Sequence, residues 1–462
     1  MRVWVRYLLG MLGLLAIAAP AYSAGFAIIE QSVSGLGNAF AGGAAVAQDA
    51  TTVYFNPAGM TRLKGQEVVL GLHVIMPQAR FHNDGSRLAN SLGGGALSGG
   101  DGGDGGQTAL SPNAYYTLSL ENGWSFGLGI NAPFGLATDY DSGWTGRYYA
   151  LRSKVETVNI NPAVAYKVNE HLSLGAGFNA QYLKAKLSNA VDLGSIAFAQ
   201  VAGNPATASM ANPAWIQSRD GKVDLDADDW SFGYNLGLLY EFTRDTRIGL
   251  AYRSRMRHSV SGSADFTLPR TITGIPQVDG AIAAQFADAG AKADITLPDS
   301  ASLSVFHRLN PSWAVMADVT WTNWSTFKEL RVKFDPNANG LTLPDNVTSE
   351  NWKDNWRYSV GATYNPMEKL ALRLGLAYDQ TPIPDAAHRT PRIPSERRYW
   401  VAAGAGYWFT EALGVDVAYA HLFVPDAKVD HQAAGEDLLR GALRGKFENS
   451  VDIASLQLDY RF

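Results

Sequence analysis

The last residues of the chain alternate strictly between apolar and polar. Leu456, Leu458, Tyr460 and Phe462 share one face of an extended strand, and Ser455, Gln457, Asp459 and Arg461 share the other. Trp356, Tyr358, Val360, Ala362 and Tyr364 likewise oppose Arg357, Ser359, Gly361, Thr363 and Asn365, and Leu370 to Tyr378 repeats the pattern. Alternation alone fits a strand of a soluble sandwich as well. Here, however, the non-apolar row is rich in Gly and Ala, where a water-facing row carries longer charged chains, as expected of a crowded wall around an internal segment. Beyond the first 23 residues no apolar run approaches the roughly 20 residues of a membrane helix, yet aromatic residues make up 11% of the chain. In lipid only helices and closed sheets satisfy every backbone group, so the sequence predicts an all-β fold, a transmembrane antiparallel β-barrel.

About fourteen such segments can be counted, an even number, as single-chain bacterial barrels require. They include Lys222–Phe242, Thr246–Phe266, Ala293–Leu309 and Ser312–Val332, each read as one continuous strand. Tight connections such as Asn169-Glu170 and Asn310-Pro311 alternate with long ones such as 190–221 and 333–355. Short turns belong on the periplasmic side and long loops outside.

The N-terminus sets the compartment. Arg2 and Arg6, the apolar run Leu8 to Ala19 and the small residues of Ala21-Tyr22-Ser23 form a secretory signal over residues 1–23. Residues 24–65 are Gly- and Ala-rich, with Glu30 and Asp49 the only charges as far as Met60, and do not alternate; they are read as a small hatch or plug inside the barrel of residues 66–462. A Gram-negative outer membrane is the implied location. The acidic balance, 43 Asp and Glu against 38 Lys and Arg, gives no support to nucleic-acid binding. Cysteine is absent, which removes disulfides and thiolate metal sites. No catalytic or metal-binding motif is found, and no cofactor is expected.

Several local features bear on function. In Asn56-Pro57-Ala58 an N-capping Asn precedes a Pro suited to the first helical position, so a short helical turn should end the plug. In Pro133-Phe134-Gly135 the proline removes a ladder donor and the glycine permits a bend, so the third strand either ends or opens the wall sideways. Ile196, Phe198 and Val201 belong to a stretch that could form short helices at the barrel mouth, and 282–286 repeats this; their apolar side chains need each other or an apolar ligand. The glycine-rich run 93–106 reads as a flexible loop. In the seventh strand Ile248, Leu250 and Tyr252 point to lipid, so Arg253, Arg255 and Arg257 should face the lumen, to meet either a ligand carboxylate or wall acids such as Asp229. Lys184 and Lys186 have outward parity and would meet lipopolysaccharide phosphates.

The chain resembles the FadL-type outer-membrane transporters of long-chain fatty acids and other hydrophobic compounds. The resemblance rests on Ala24-Gly25-Phe26, Ser34-Gly35-Leu36-Gly37, Asn56-Pro57-Ala58, Gly135-Leu136-Ala137-Thr138, the run from Leu174 to Ala180, Tyr252-Arg253-Ser254, Pro382-Ile383-Pro384 and Arg398-Tyr399-Trp400, in the family's order. It implies a fourteen-stranded barrel with an N-terminal hatch, capture of ligand between outer loops, a tighter site at the mature N-terminus, and lateral exit through a third-strand kink. Phe26 stands where the family places a hatch phenylalanine at that site. Arg331 falls on one cation that receives the carboxylate, while the other falls on Asn189.

The expected function is passive uptake of a hydrophobic small molecule, with fatty acids first, by a monomer in contact with outer-membrane lipid and lipopolysaccharide. An aromatic hydrocarbon channel, a lipid-acting enzyme barrel and a structural or adhesion barrel are the competing readings. An energy-coupled receptor would need a far larger plug and about 22 strands.

Overall fold

A computed structural model describes residues 25–462; Ala24 and the signal expected over residues 1–23 lie outside the described residues. In chain order the strands are β1 Gln66–Asn83, β2 Ala109–Ser119, β3 Trp124–Asn131, β4 Gly135–Asp139, β5 Arg152–Lys167, β6 Leu172–Asp192 and β7 Asp220–Glu241. There follow β8 Thr246–Arg253, β9 Met256–Thr267, β10 Ala289–Leu297, β11 Ser300–Asn310, β12 Trp313–Thr322, β13 Glu329–Phe334 and β14 Asn346–Ser349. The last are β15 Asn355–Met367, β16 Leu370–Asp379, β17 Arg398–Trp408, β18 Leu413–Phe423, β19 Ala427–Asp430 and β20 Arg444–Arg461. Among the described residues they make fourteen crossings of a closed antiparallel barrel. The seam is β1 on β20, in unbroken register from Glu67↔Arg461 to Asn83↔Gly445.

The alternation becomes the two faces of the wall. Leu372, Leu374 and Leu376 stand exposed on the outside, between aromatic belts that include Trp124–Tyr166 and Trp313–Tyr364 near the tight turns and Tyr182–Trp230 and Tyr234–Tyr252 further out. Such girdles mark the two lipid–water interfaces of a barrel. Inside, buried amides bond to one another: Asn159 donates to Asn179 at 3.0 Å, and Asn161 and Asn179 both donate to Asn235 at 3.0 Å.

Three of the crossings expected to be continuous are interrupted. The seventh breaks at Ser254-Arg255, and the eighth at Pro298-Asp299, where proline has no N–H for the ladder. The expected strand Ser312–Val332 ends at Thr322, turns through a short 3-10 helix at Trp324–Thr326 and resumes as β13, which pairs with β14 above the barrel. The seventh-strand break shifts parity by one residue, as bulges do. Below it Arg247 and Arg253 point inward; above it Met256, His258 and Val260 are buried, while Arg255 and Arg257 are exposed. The lumenal placement expected for Arg255 and Arg257 is therefore wrong, and Asp229 lies by His258 (3.2 Å) instead of an arginine.

The N-terminal segment folds inside the wall as α1 Val33–Leu36, α2 Gly43–Val46, α3 Thr52–Phe55 and a 3-10 turn at Pro57–Arg62. Asn56 caps that turn, accepting from the Ala58 amide at 3.0 Å, with Pro57 at its start. The wall lets it approach closely: a Cβ on Gly175 would collide with the Ala58 backbone, and one on Gly237 with the Asn56 side chain. Three wall arginines donate to its carbonyls, Arg247 to Ala45 and Val46 (both 2.6 Å), Arg253 to Tyr54 (2.9 Å) and Arg357 to Ala39 (2.7 Å). These carbonyls lie in or beside the short helices, whose C-terminal ends favour cations.

At the outer mouth, α4 Leu193–Gly203 and α5 Pro276–Gln285 form as expected and bury Leu193, Ala197 and Ile282 against each other. The glycine-rich loop is not a free linker. Leu97 is buried, Gly100 bridges Trp144, and Arg80 bridges Asp104.

Candidate functional site: a cavity behind the N-terminal tip

The tip of the N-terminal segment is held in a box of aromatic rings. Phe26 is buried, with ring centroids 4.9 Å from Trp324, 5.8 Å from Phe327, and 6.1 Å from both Trp352 and Phe134. Trp324 and Trp352 are themselves 4.9 Å apart. Tilted and edge contacts of this kind each add about 0.5–1.5 kcal/mol to the burial of the rings. Trp324, Phe327 and Trp352 come from the connection between β12 and β15, which folds back over the lumen. Gly25 allows the turn into the box: its φ is +67°, and a Cβ there would sit 2.7 Å from both tryptophans.

The same tip occupies the third-strand break. Gly135 donates to the Phe26 carbonyl at 2.9 Å, Ile28 donates to the Pro133 carbonyl at 2.8 Å, and Ala27 bridges Phe134. On the wall side of the break, β3 pairs with β2 only from Ser125 to Ile130, and β4 pairs along its length with β5 alone, its outer end at Thr138 and Asp139 meeting the loop at Gly105 and Gly106. The tip thus supplies hydrogen bonds that the missing neighbour would have made.

Behind the tip lies a cavity of about 140 Å³. Ile28, Ile29, Phe40, Phe55, Phe134 and Trp324 give it an apolar side. Two cations reach it, Arg253 and Arg357. Arg253 is fully engaged, with Asn179 at 2.7 Å, the Tyr54 carbonyl and the Tyr54 ring at 4.2 Å. Arg357 spends one nitrogen on Ala39 and lies 5.2 Å from the Trp400 ring; its buried Nε and Nη1 make no hydrogen bond, while the carboxylates of Asp379 and Asp318, which line the same cavity, and of Glu30 lie close enough to act on its charge. Its idle donors suit a carboxylate, which binds such a fork through paired charge-assisted hydrogen bonds.

The other expected site residues fall elsewhere. Arg331 sits on β13 and pairs with Glu329 (2.6 Å) and Asp345 (3.0 Å). Arg255 is outside, paired with Asp299 at 3.3 Å. Ile196 packs into the cluster of the two loop helices and Phe198 against the cluster around Trp144. Lys184 and Lys186 face outward as expected, and both pair with Asp226. Asn189 accepts from Arg392 at 3.2 Å, so a guanidinium from the loop before β17 reaches that position. Arg392 is buried, and desolvation lowers its pKa from the usual arginine range to about 10. In the outer loop before Trp352, burial pushes Glu350 up to about 8, with its Oε2 accepting from Trp352 Nε1 at 2.8 Å. Sequence parity had placed Arg357 in the lumen without distinguishing it from other polar wall residues. Trp324, Phe327 and Trp352 carried only an unusual density of aromatic residues as a signal.

Comparison with known proteins agrees with this geometry. The family described as "Outer membrane protein transport protein (OMPP1/FadL/TodX)" matches residues 14–462. The long-chain fatty acid transport protein of Escherichia coli strain K12 is 31% identical over 425 residues, spanning 90% of this chain and 91% of the relative. Outer membrane protein P1 of Haemophilus influenzae is 34% identical over 427 residues, 88% of each chain. A solved Pseudomonas aeruginosa FadL homologue superposes with a TM-score of 0.84 at 26% identity, covering 95% of this chain and 100% of that one. The Ralstonia pickettii toluene transporter TbuX shares the fold at 20% identity and a TM-score of 0.65, covering 94% and 100%. With its closed barrel, internal N-terminal segment and tip-filled wall break, the chain belongs to the outer membrane protein transport family that includes FadL and TodX.

Proposed function

We propose that the barrel carries long-chain fatty acids passively across the outer membrane, with residues 24–65 acting as a hatch and its tip, Phe26, as the gate. The observation that supports this most directly is that one short segment, 26–28, both fills the aromatic box and closes the break at Pro133-Phe134-Gly135. A ligand that displaces Phe26 from the box also withdraws the hydrogen bonds that plug the wall. Binding and opening are then one event, which is a coupling between two sites through a shared element.

The size of the cavity fits a closed state. About 140 Å³ is below the roughly 300–1,000 Å³ of ligand pockets, so an alkyl chain must gain the volume that Phe26 vacates. The chain is driven inward by transfer from water to apolar surface, about 0.8 kcal/mol per methylene buried. Its carboxylate is received by the idle donors of Arg357. No catalytic step is part of this reading. The barrel is read as a monomer, with outer-membrane lipid along its apolar belt and lipopolysaccharide above it.

A second reading is favoured by the same volume. A dry engineered cavity of about 150 Å³ takes benzene, so a single-ring hydrocarbon could enter without displacing Phe26. Titrating purified barrel with fatty acids and with toluene, while following tryptophan emission, separates the two, because Trp324 and Trp352 face Phe26. A fatty acid should change that emission saturably, and Gly135→Trp should reduce cellular uptake of labelled fatty acid with the barrel still folded. Saturable toluene binding with no fatty-acid response would reverse the choice of ligand.

A further inference from the structure

We propose that the wall contains a second lateral passage for the apolar ligand, at the facing interruptions of β8/β9 and β10/β11; this rests on the reading of the cavity as a transit site. Below the interruptions the ladder runs to Arg253↔Ser300, and above them it restarts at Met256↔Leu297. Ser254-Arg255 and Pro298-Asp299 therefore face each other unpaired and leave an eye in the sheet. The neighbouring ladder is open at the same level. β7 pairs with β8 up to Asn235↔Arg253 and with β9 only from Asp228↔Ser261. Across that interval Ser254 and Ser231 stitch the strands: the Tyr234 amide donates to Ser254 Oγ at 2.9 Å, the Ser254 amide donates to the Tyr234 carbonyl at 2.9 Å, and Ser231 Oγ donates to the Arg257 carbonyl at 2.8 Å. Two of these three links run through a hydroxyl, which turns on one torsion and re-forms elsewhere.

Apolar space lies inside the eye and, just beside it, outside. Inside, Pro298 and Ser300 line the same cavity that Pro133 and Phe134 line. Outside, next to the eye and over the paired stretch Leu250–Tyr252 and Ala301–Leu303, is a dent of about 790 Å³ above the small residue Ala301, rimmed by Leu250, Tyr252, Leu303 and Trp321. Leu236, Ala251, Tyr252 and Ser302 border both the cavity and the dent, so a single layer of side chains separates them. The two breaks are also level, since β3 and β8 each run 8 residues from a short turn before stopping. A bulge that only re-aims a strand needs neither space.

The eye is latched by Asp299. It accepts from Asn323 Nδ2 at 2.9 Å and from the Tyr252 hydroxyl at 3.2 Å, and pairs with Arg255 at 3.3 Å. Swinging Tyr252 and Arg255 away would join the cavity to the dent. The occupant is the transported molecule, an alkyl chain or a single ring, because the dent is apolar and continuous with the cavity wall.

The test uses the full-length barrel in cells that lack other uptake routes. Ala301→Trp fills the dent from the lipid side and leaves the interior untouched; Gly135→Trp blocks the first opening. Each alone should lower labelled fatty-acid uptake by about twofold to fivefold, and the double variant should reach the level of cells without the protein. Arg255→Ala, which weakens the latch, should raise uptake in the Gly135→Trp background by at least twofold. Purified variants are titrated in parallel by tryptophan emission. Retained binding with uptake unaffected by Ala301→Trp in both backgrounds overturns the second passage alone. Absence of fatty-acid binding by the parent barrel overturns the cavity reading and the passage with it.

Discussion

The carbonyl of Phe26 accepts the Gly135 amide at 2.9 Å while its ring lies 4.9 Å from Trp324, so one residue bridges the break in the wall with its backbone and fills the aromatic box with its side chain. Phe26→Ala removes the ring and keeps the backbone. Loss of a buried phenylalanine costs about 3–5 kcal/mol, enough to free the tip. Hydrogen exchange at the Ile28 amide, now bonded to Pro133, should accelerate by more than tenfold, and fatty-acid binding should tighten because no ring has to be displaced.

On the proposed reading, Arg357 separates acids from hydrocarbons. Arg357→Met should weaken fatty-acid binding by the loss of charge-assisted hydrogen bonds, about 1.5–3 kcal/mol, or roughly tenfold to a hundredfold in Kd. Toluene binding should stay within about twofold. Equal losses for both ligands, measured by titration calorimetry, would assign Arg357 to the hatch contact with Ala39 alone.

The loop that carries Trp352 should be pH-sensitive. Glu350 is raised by burial from 4.5 to about 8. Between these values the folded loop holds a proton that the open loop releases, so the closed form binds more protons and its stability falls as pH rises through that window. Tryptophan emission and loop proteolysis should therefore show opening from about pH 5 toward pH 8, and Glu350→Gln should flatten the profile. A profile unchanged by that substitution would place the titration elsewhere.

Asn56 ties the hatch to the wall, donating to the Ala44 carbonyl at 2.6 Å and the Leu238 carbonyl at 3.0 Å while capping Ala58. Asn56→Ala loses a cap worth about 0.5–2 kcal/mol and removes the side-chain bonds to both carbonyls. The barrel should still close, since β1 and β20 are untouched. Residues 56–62 should become susceptible to limited proteolysis.

Much of the wall was legible because side-chain alternation has a period of two and the lipid face is uniformly apolar; Leu370 to Tyr378 could hardly be read otherwise. The breaks were harder. Across Ser254 the outer row changes from the apolar Ile248, Leu250 and Tyr252 to wholly polar residues, so a shift of one residue leaves alternation apparently intact while turning Arg255 outward. Pro298 was a readable signal, since proline within a central strand argues for a bulge or edge. The cavity was not legible. It depends on which inward residues the N-terminal segment leaves uncovered, and Trp324 reaches it, as Phe327 and Trp352 reach the box around Phe26, from a connection whose path no local pattern encodes. Arg331 matched the expected cation by position but is satisfied by Glu329 two residues away.

The Val33 amide bonds to Gln457 Oε1 at 3.0 Å, across 424 positions of sequence. Such a contact cannot form until the last strand has been made. The first-synthesised part of the barrel therefore reaches its final partners only after the last-synthesised part exists. Loop-closure entropy across nearly the full chain must be met before those contacts return anything. The N-terminal segment thus completes its contacts only when both ends of the chain are in place.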